Sequence, residues 1–111
     1  MTRHDPMQSM GDMLDYARKA VRFIEGKSRS DLDHDEILML ALSRAVEIVG
    51  EAANRIPREV QQQYPTIPWP NVIGTRHRLI HGYDLLDADV LWDTIVDDLP
   101  PLIVELEKIV G

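Results

Sequence analysis

The chain has 111 residues, with 44% hydrophobic and 28% charged residues, which suits one globular domain with a single core. Nineteen Asp and Glu against 12 Lys and Arg give a net charge of −7, which argues against a nucleic-acid coat with a broad basic face. There is no cysteine, which excludes disulfides, thiolate chemistry and the usual structural zinc sites.

The N-terminal MTRHDPMQSM has no apolar run of the signal-peptide kind, so a cytoplasmic location is expected. No stretch approaches the ~18 to 20 apolar residues of a membrane span. Asp5 followed by Pro6 reads as a helix start, with Met10, Leu14, Ala17, Val21 and Ile24 as one face and Gly26 as the stop. GKSRSDLDHDE reads as a loop, and Asp33 with Glu36 as a capping box for the next helix. Leu38, Leu42, Ala45, Val49, Ala52 and Ile56 form a long stripe that Ile37, Ala41 and Ile48 widen, so this helix is expected to be central, ending at Pro57.

Residues 58–64 suit a short helix before the extended PTIPWP. Pro70 opens a third major helix, expected to run to about His81 and close at Gly82. Asp87 or Asp89 caps the last, whose inner face is Leu91, Ile95, Leu99, Leu102, Leu106 and Ile109. Pro100 and Pro101 fall inside that stripe and either kink or break the helix. With no sustained alternation of period two, the prediction is an all-α bundle of four main helices plus a short extra one, spanning 1–111 as a single domain.

One nonapeptide, RHRLIHGYD from Arg76 to Asp84, concentrates basic and titratable side chains on this acidic chain. The helix end brings a guanidinium (Arg76), an imidazole (His81) and, past Gly82, a phenol (Tyr83) towards one cleft. Arg offers a planar fork of donors to a phosphate, and His exchanges protons near neutral pH. That pair fits phosphodiester chemistry on RNA, in which a base activates a 2′-hydroxyl against its own phosphate without a metal. From composition alone a structural reading is the stronger one, with the His on the C-terminal carbonyls and Arg76 paired to a core-edge Glu such as Glu47 or Glu51.

Several neighbours carry paired readings. His77 and His81 stand at i and i+4, a spacing that two metal ligands can use, but no cysteine and no third ligand beyond Asp84 supports a metal, and none is expected. Arg78 faces solvent, an RNA phosphate or a partner's carboxylate. Arg44, Glu47 and Glu51 make a surface ladder, unless Glu51 orients Arg76 across the bundle. Gly50 inside a helix points to close helix approach or a dimer contact. Trp69 and Trp92 read as packing anchors rather than base-stacking platforms.

Arg76, His81 and Tyr83 match the R-x4-H-x-Y pattern of the HepT-like HEPN proteins, toxin partners of MNT-type minimal nucleotidyltransferases. RAVEIVGEAANRIP, YPTIPWPNVIGTRHRLIHGY and VLWDTIVDDLPPLIVELEKI resemble that family's segments in its order, from about Met7 to Ile109. The resemblance implies an all-α up-and-down bundle of four to five helices of the HEPN type. It also implies a cytoplasmic homodimer with a metal- and cofactor-independent endoribonuclease site at the interface, cleaving mRNA or tRNA. Arg76 would bind and polarise the scissile phosphate and His81 act as acid or base, with His77 and Glu51 in support. Tyr83 matches the tyrosine to which the cognate nucleotidyltransferase antitoxin transfers AMP, silencing the toxin. His77 departs from the Asn that commonly follows the motif arginine. The alternative is a non-catalytic helical dimerisation module that binds a nucleotidyltransferase.

Overall fold

The computed structural model describes residues 5–79 and 86–111. Among the described residues six α-helices make up the bundle: α1 (Pro6–Phe23), α2 (Glu36–Arg55), α3 (Arg58–Gln61), α4 (Trp69–Leu79), α5 (Ala88–Asp93) and α6 (Leu99–Val110). A 3-10 turn (Arg29–Asp33) precedes α2, and a π turn (Thr94–Asp98) joins α5 to α6. The described residues contain no β-strand beyond an isolated bridge at Leu86. The all-α bundle is therefore as expected.

Helix α2 is the centre. It packs along α1 on one side and against α4 on another, while α6 lies on α1. Packing on two sides buries Val46 and Ala53 beside the expected Leu38, Leu42, Ala45, Val49 and Ala52. Ile37 is a correction: it is 82% exposed, because it projects from the first turn of α2 on a side that no helix covers. On α1, Met13 and Ala20 join Met10, Leu14 and Ala17 in the core, and Val21 and Ile24 are only half-buried.

Asp5 caps α1 as expected, its carboxylate accepting the Met7 N–H at 2.9 Å. The cap of α2 differs: Asp35, not Asp33, accepts the Leu38 N–H at 3.0 Å. Asp33 is held in the 3-10 turn by Arg29, at 3.0 Å. Arg29 also binds Asp89 at 2.6 Å, which leaves Asp87 to cap α5 through the Val90 N–H at 3.0 Å.

Pro100 and Pro101 do not end the helical path. In a regular α-helix their missing N–H groups would serve the Val96 and Asp97 carbonyls, and their rings would crowd the same turn. The π turn opens that turn instead, with the Leu99 N–H reaching back to the Thr94 carbonyl, and the prolines fall in the first turn of α6. Leu91, Ile95, Leu99, Leu102 and Leu106 stay buried through it. The expected end of α4 at His81 and Gly82 lies outside the described residues.

Candidate active site

The rotation of α4 is set by what it buries. Trp69 starts the helix with its indole inside, donating to the carbonyls of Gln61 at 3.0 Å and Tyr64 at 3.1 Å, so it is a packing anchor as expected. Val72, Thr75 and Leu79 follow on the inner side at spacings of three and four. Arg76, His77 and Arg78 are thereby left exposed on the last turn. Cations there also face the negative end of the helix dipole, a favourable placement.

Gly50 lets α4 come close. A Cβ at that position would lie 3.3 Å from the Val72 carbonyl oxygen and 3.8 Å from that of Ile73. The close approach creates a groove of about 210 Å3, lined by Gly50, Glu51 and Asn54 from α2 and by Ile73, Arg76 and His77 from α4. Sequence reasoning missed Asn54, although it follows Gly50 by four residues and Glu51 by three and so shares their face.

Arg76 makes no hydrogen bond or ion pair with another described residue. Glu51 lines the same groove, but its ion pair is with Arg44, at 3.7 Å, and Arg44 also binds Glu47 at 3.0 Å. The ladder of Arg44, Glu47 and Glu51 therefore forms, and Glu51 shares a groove with Arg76 without an ion pair to it. Arg78 turns away from the groove, donating to the Asn71 carbonyl at 3.1 Å and the Thr75 hydroxyl at 2.9 Å. Trp92 is half-buried against the core. His81 and Tyr83, with Asp84, lie outside the described residues. Among the described residues no three His, Asp or Glu side chains converge as a metal site would require.

An open groove with an unengaged guanidinium can receive a phosphate group, and the adjacent imidazole and Asn54 amide can donate further hydrogen bonds to it. The Leu79 carbonyl accepts the Asp87 N–H at 2.7 Å, which ties the end of α4 to the cap of α5.

The family model described as ribonuclease HepT-like matches residues 13–109. The chain is 36% identical over 106 residues to "Probable ribonuclease HepT" of Thermococcus cleftensis, covering 92% of this chain and 96% of that protein. It is 29% identical over 110 residues to "Putative RNase MJ1216" of Methanocaldococcus jannaschii, covering 99% and 91%. It is 31% identical over 103 residues to "Putative RNase TTE0752" of Caldanaerobacter subterraneus, covering 93% and 88%. Comparison with solved structures gives no significant match.

Proposed function

The chain belongs to the ribonuclease HepT-like family, and from that premise we propose that it is an endoribonuclease with Arg76 and His81 as its reacting pair. The observation that carries the site is Arg76: exposed, in the groove between α2 and α4, without a partner among the described residues. A guanidinium in that condition is available to a phosphodiester. Bound there, the phosphate gains two parallel charge-assisted hydrogen bonds that strengthen as negative charge builds on its oxygens.

The reaction is transfer within the RNA. The 2′-hydroxyl loses its proton to a base and attacks the adjacent phosphorus. The bond from phosphorus to the 5′-oxygen breaks, and that oxygen takes a proton. The products are a 2′,3′-cyclic phosphate and a 5′-hydroxyl, and no metal or water enters the step. His81 exchanges these protons, while His77 and Glu51 support the groove. A homodimer would bring two copies of the Arg76–Asp84 stretch together and concentrate positive charge locally on an acidic body.

Tyr83 is the control point in this reading. A minimal nucleotidyltransferase antitoxin transfers AMP to its hydroxyl with release of pyrophosphate. The adduct places negative charge and bulk beside Arg76, where the RNA phosphate would bind, and excludes the substrate.

The test compares wild type, Arg76→Ala, His81→Ala and Tyr83→Phe on single-stranded RNA with chelator present. Wild type should leave cyclic-phosphate ends, and the first two variants should lose at least a hundredfold in rate. Intact RNA with stoichiometric wild type refutes catalysis and leaves the non-catalytic module as the reading. Incubation with the nucleotidyltransferase and ATP should add AMP to wild type only, read by mass spectrometry. An adduct on Tyr83→Phe removes Tyr83 from the scheme.

A further inference from the structure

Helix α4 has a second side, turned away from Arg76 and towards the π turn. Between them lies a cleft of about 280 Å3. Its floor is apolar: Val46 and Val49 of α2, Val72 of α4, and Leu99 and Leu102 of α6. Its mouth carries Asp97, Asp98 and Glu105, and among the described residues no Lys or Arg lines it. The wider turn between Thr94 and Asp98 puts two consecutive aspartates on one rim, and π turns inside helices are frequent at functional sites.

The carboxylates differ in what they have left to offer. Glu105 accepts the Thr66 hydroxyl at 3.0 Å and the Lys108 ammonium at 3.3 Å. Asp97 and Asp98 are exposed and make no hydrogen bond or ion pair with another described residue. Arg78 stands at the α4 end of the cleft, with its donors on Asn71 and Thr75.

We propose that this cleft docks a segment of a protein partner that presents an apolar anchor side chain flanked by Lys or Arg. The volume suits the anchor: a dry apolar cavity of ~150 Å3 accepts a benzene ring, so this cleft takes a Phe or Leu side chain together with the stem of its neighbour. The charge suits the flanks, since Asp97 and Asp98 lack cations and the whole chain, at −7, attracts a basic partner over distance. The same carboxylates repel nucleic-acid phosphates, so this rim favours a cationic segment over a phosphate chain. The binding needs no catalytic step and stands apart from the ribonuclease reading.

Amide NMR titration of the full chain with acetyl-Lys-Phe-Lys-amide tests it. Shifts should centre on Val46, Val72, Thr75, Thr94 and Leu102, and acetyl-Glu-Phe-Glu-amide should produce none there. The double variant Asp97→Asn, Asp98→Asn should bind the basic peptide about two- to fivefold more weakly per carboxylate removed, with amide positions away from the cleft unchanged. Glu25→Gln, an exposed carboxylate on the α1 turn, should titrate as wild type. Equal binding of the acidic peptide, an undiminished double variant or shifts mapping elsewhere overturns the proposal. So do cleft shifts that follow protein concentration without peptide, which assign the cleft to a second copy.

Discussion

Replacing Gly50 by Ala sets two effects of known size against each other. In a helix interior Ala is favoured over Gly by up to about 1 kcal/mol. The added Cβ would stand 3.3 Å from the Val72 carbonyl oxygen, closer than ordinary contact, and 3.8 Å from that of Ile73. The Val72 carbonyl is part of the α4 backbone, and in a regular helix it accepts the Arg76 N–H. It yields only if α4 moves, and α4 is pinned by Trp69, Val72, Thr75 and Leu79. Overpacking of this kind costs about 1–3 kcal/mol, so Gly50→Ala should be net destabilising by about 1 kcal/mol. Gly11→Ala supplies the control, because that helical position has no heavy atom within 4 Å and should gain close to the full propensity term. Urea unfolding reads both: a shift of ~0.3–1 M downward for Gly50→Ala and a similar shift upward for Gly11→Ala, at unchanged m-value. If Gly50→Ala is stabilised as much as Gly11→Ala, α2 and α4 do not approach as described, and the groove at Arg76 has another shape.

Removing a cap by Asp5→Ala or Asp35→Ala should cost about 1 kcal/mol each, whereas Asp33→Ala should cost less, and urea midpoints rank the three. Ile95→Ala, at a fully buried position beside the π turn, should cost about 2–5 kcal/mol by the same measurement. The Ser28 N–H, donating at 2.7 Å, holds the Asp31 carboxyl below its ordinary value, with lesser help from the Ser28 hydroxyl and Lys27. A depressed folded-state pKa stabilises above the unfolded value of about 3.9 and is lost as pH falls through the lower folded value. Stability of wild type over Asp31→Asn should therefore be constant near neutrality and diminish as the pH falls below the unfolded value of about 3.9; an advantage that grows with acid contradicts the assignment. Arg44→Ala breaks only exposed pairs and should change stability by less than about 1 kcal/mol.

Local chemistry carried most of the fold into the sequence. Asp5–Pro6 could be read because an N-cap and a first-turn proline are neighbours in the chain. The cap of α2 could not, because DLDHD offers three aspartates in five residues. Arg29, which pairs with Asp33 and with the distant Asp89, decides among them, and that pairing exists only after folding. Periodicity found the side of α2 that faces α1 but could not find Val46 and Ala53, since burial on a second side appears only when α4 packs. The double proline left kink and break open because sequence does not encode how far a turn can widen. At the site, helical spacing leaves Arg76 off the buried side formed by Val72, Thr75 and Leu79, but whether Glu51 turns to Arg76 or to Arg44 depends on side-chain reach across helices.

The opposite characters of the two sides of α4 bear on how an acidic chain can handle RNA. Arg18, Arg29 and Arg44 are each held by carboxylates, so part of the positive surface is already compensated. Arg76 escapes because Glu51, the acid of α2 that lines its groove, is drawn to Arg44 on the same helix. On the other side of α4, Asp97 and Asp98 are left without cations. A phosphate chain approaching this molecule is repelled over most of the surface and met by an open guanidinium at one groove. Uniform basic charge would bind RNA anywhere; an acidic body whose groove holds an arginine with no partner among the described residues favours that place, trading overall affinity for control over where the phosphate sits.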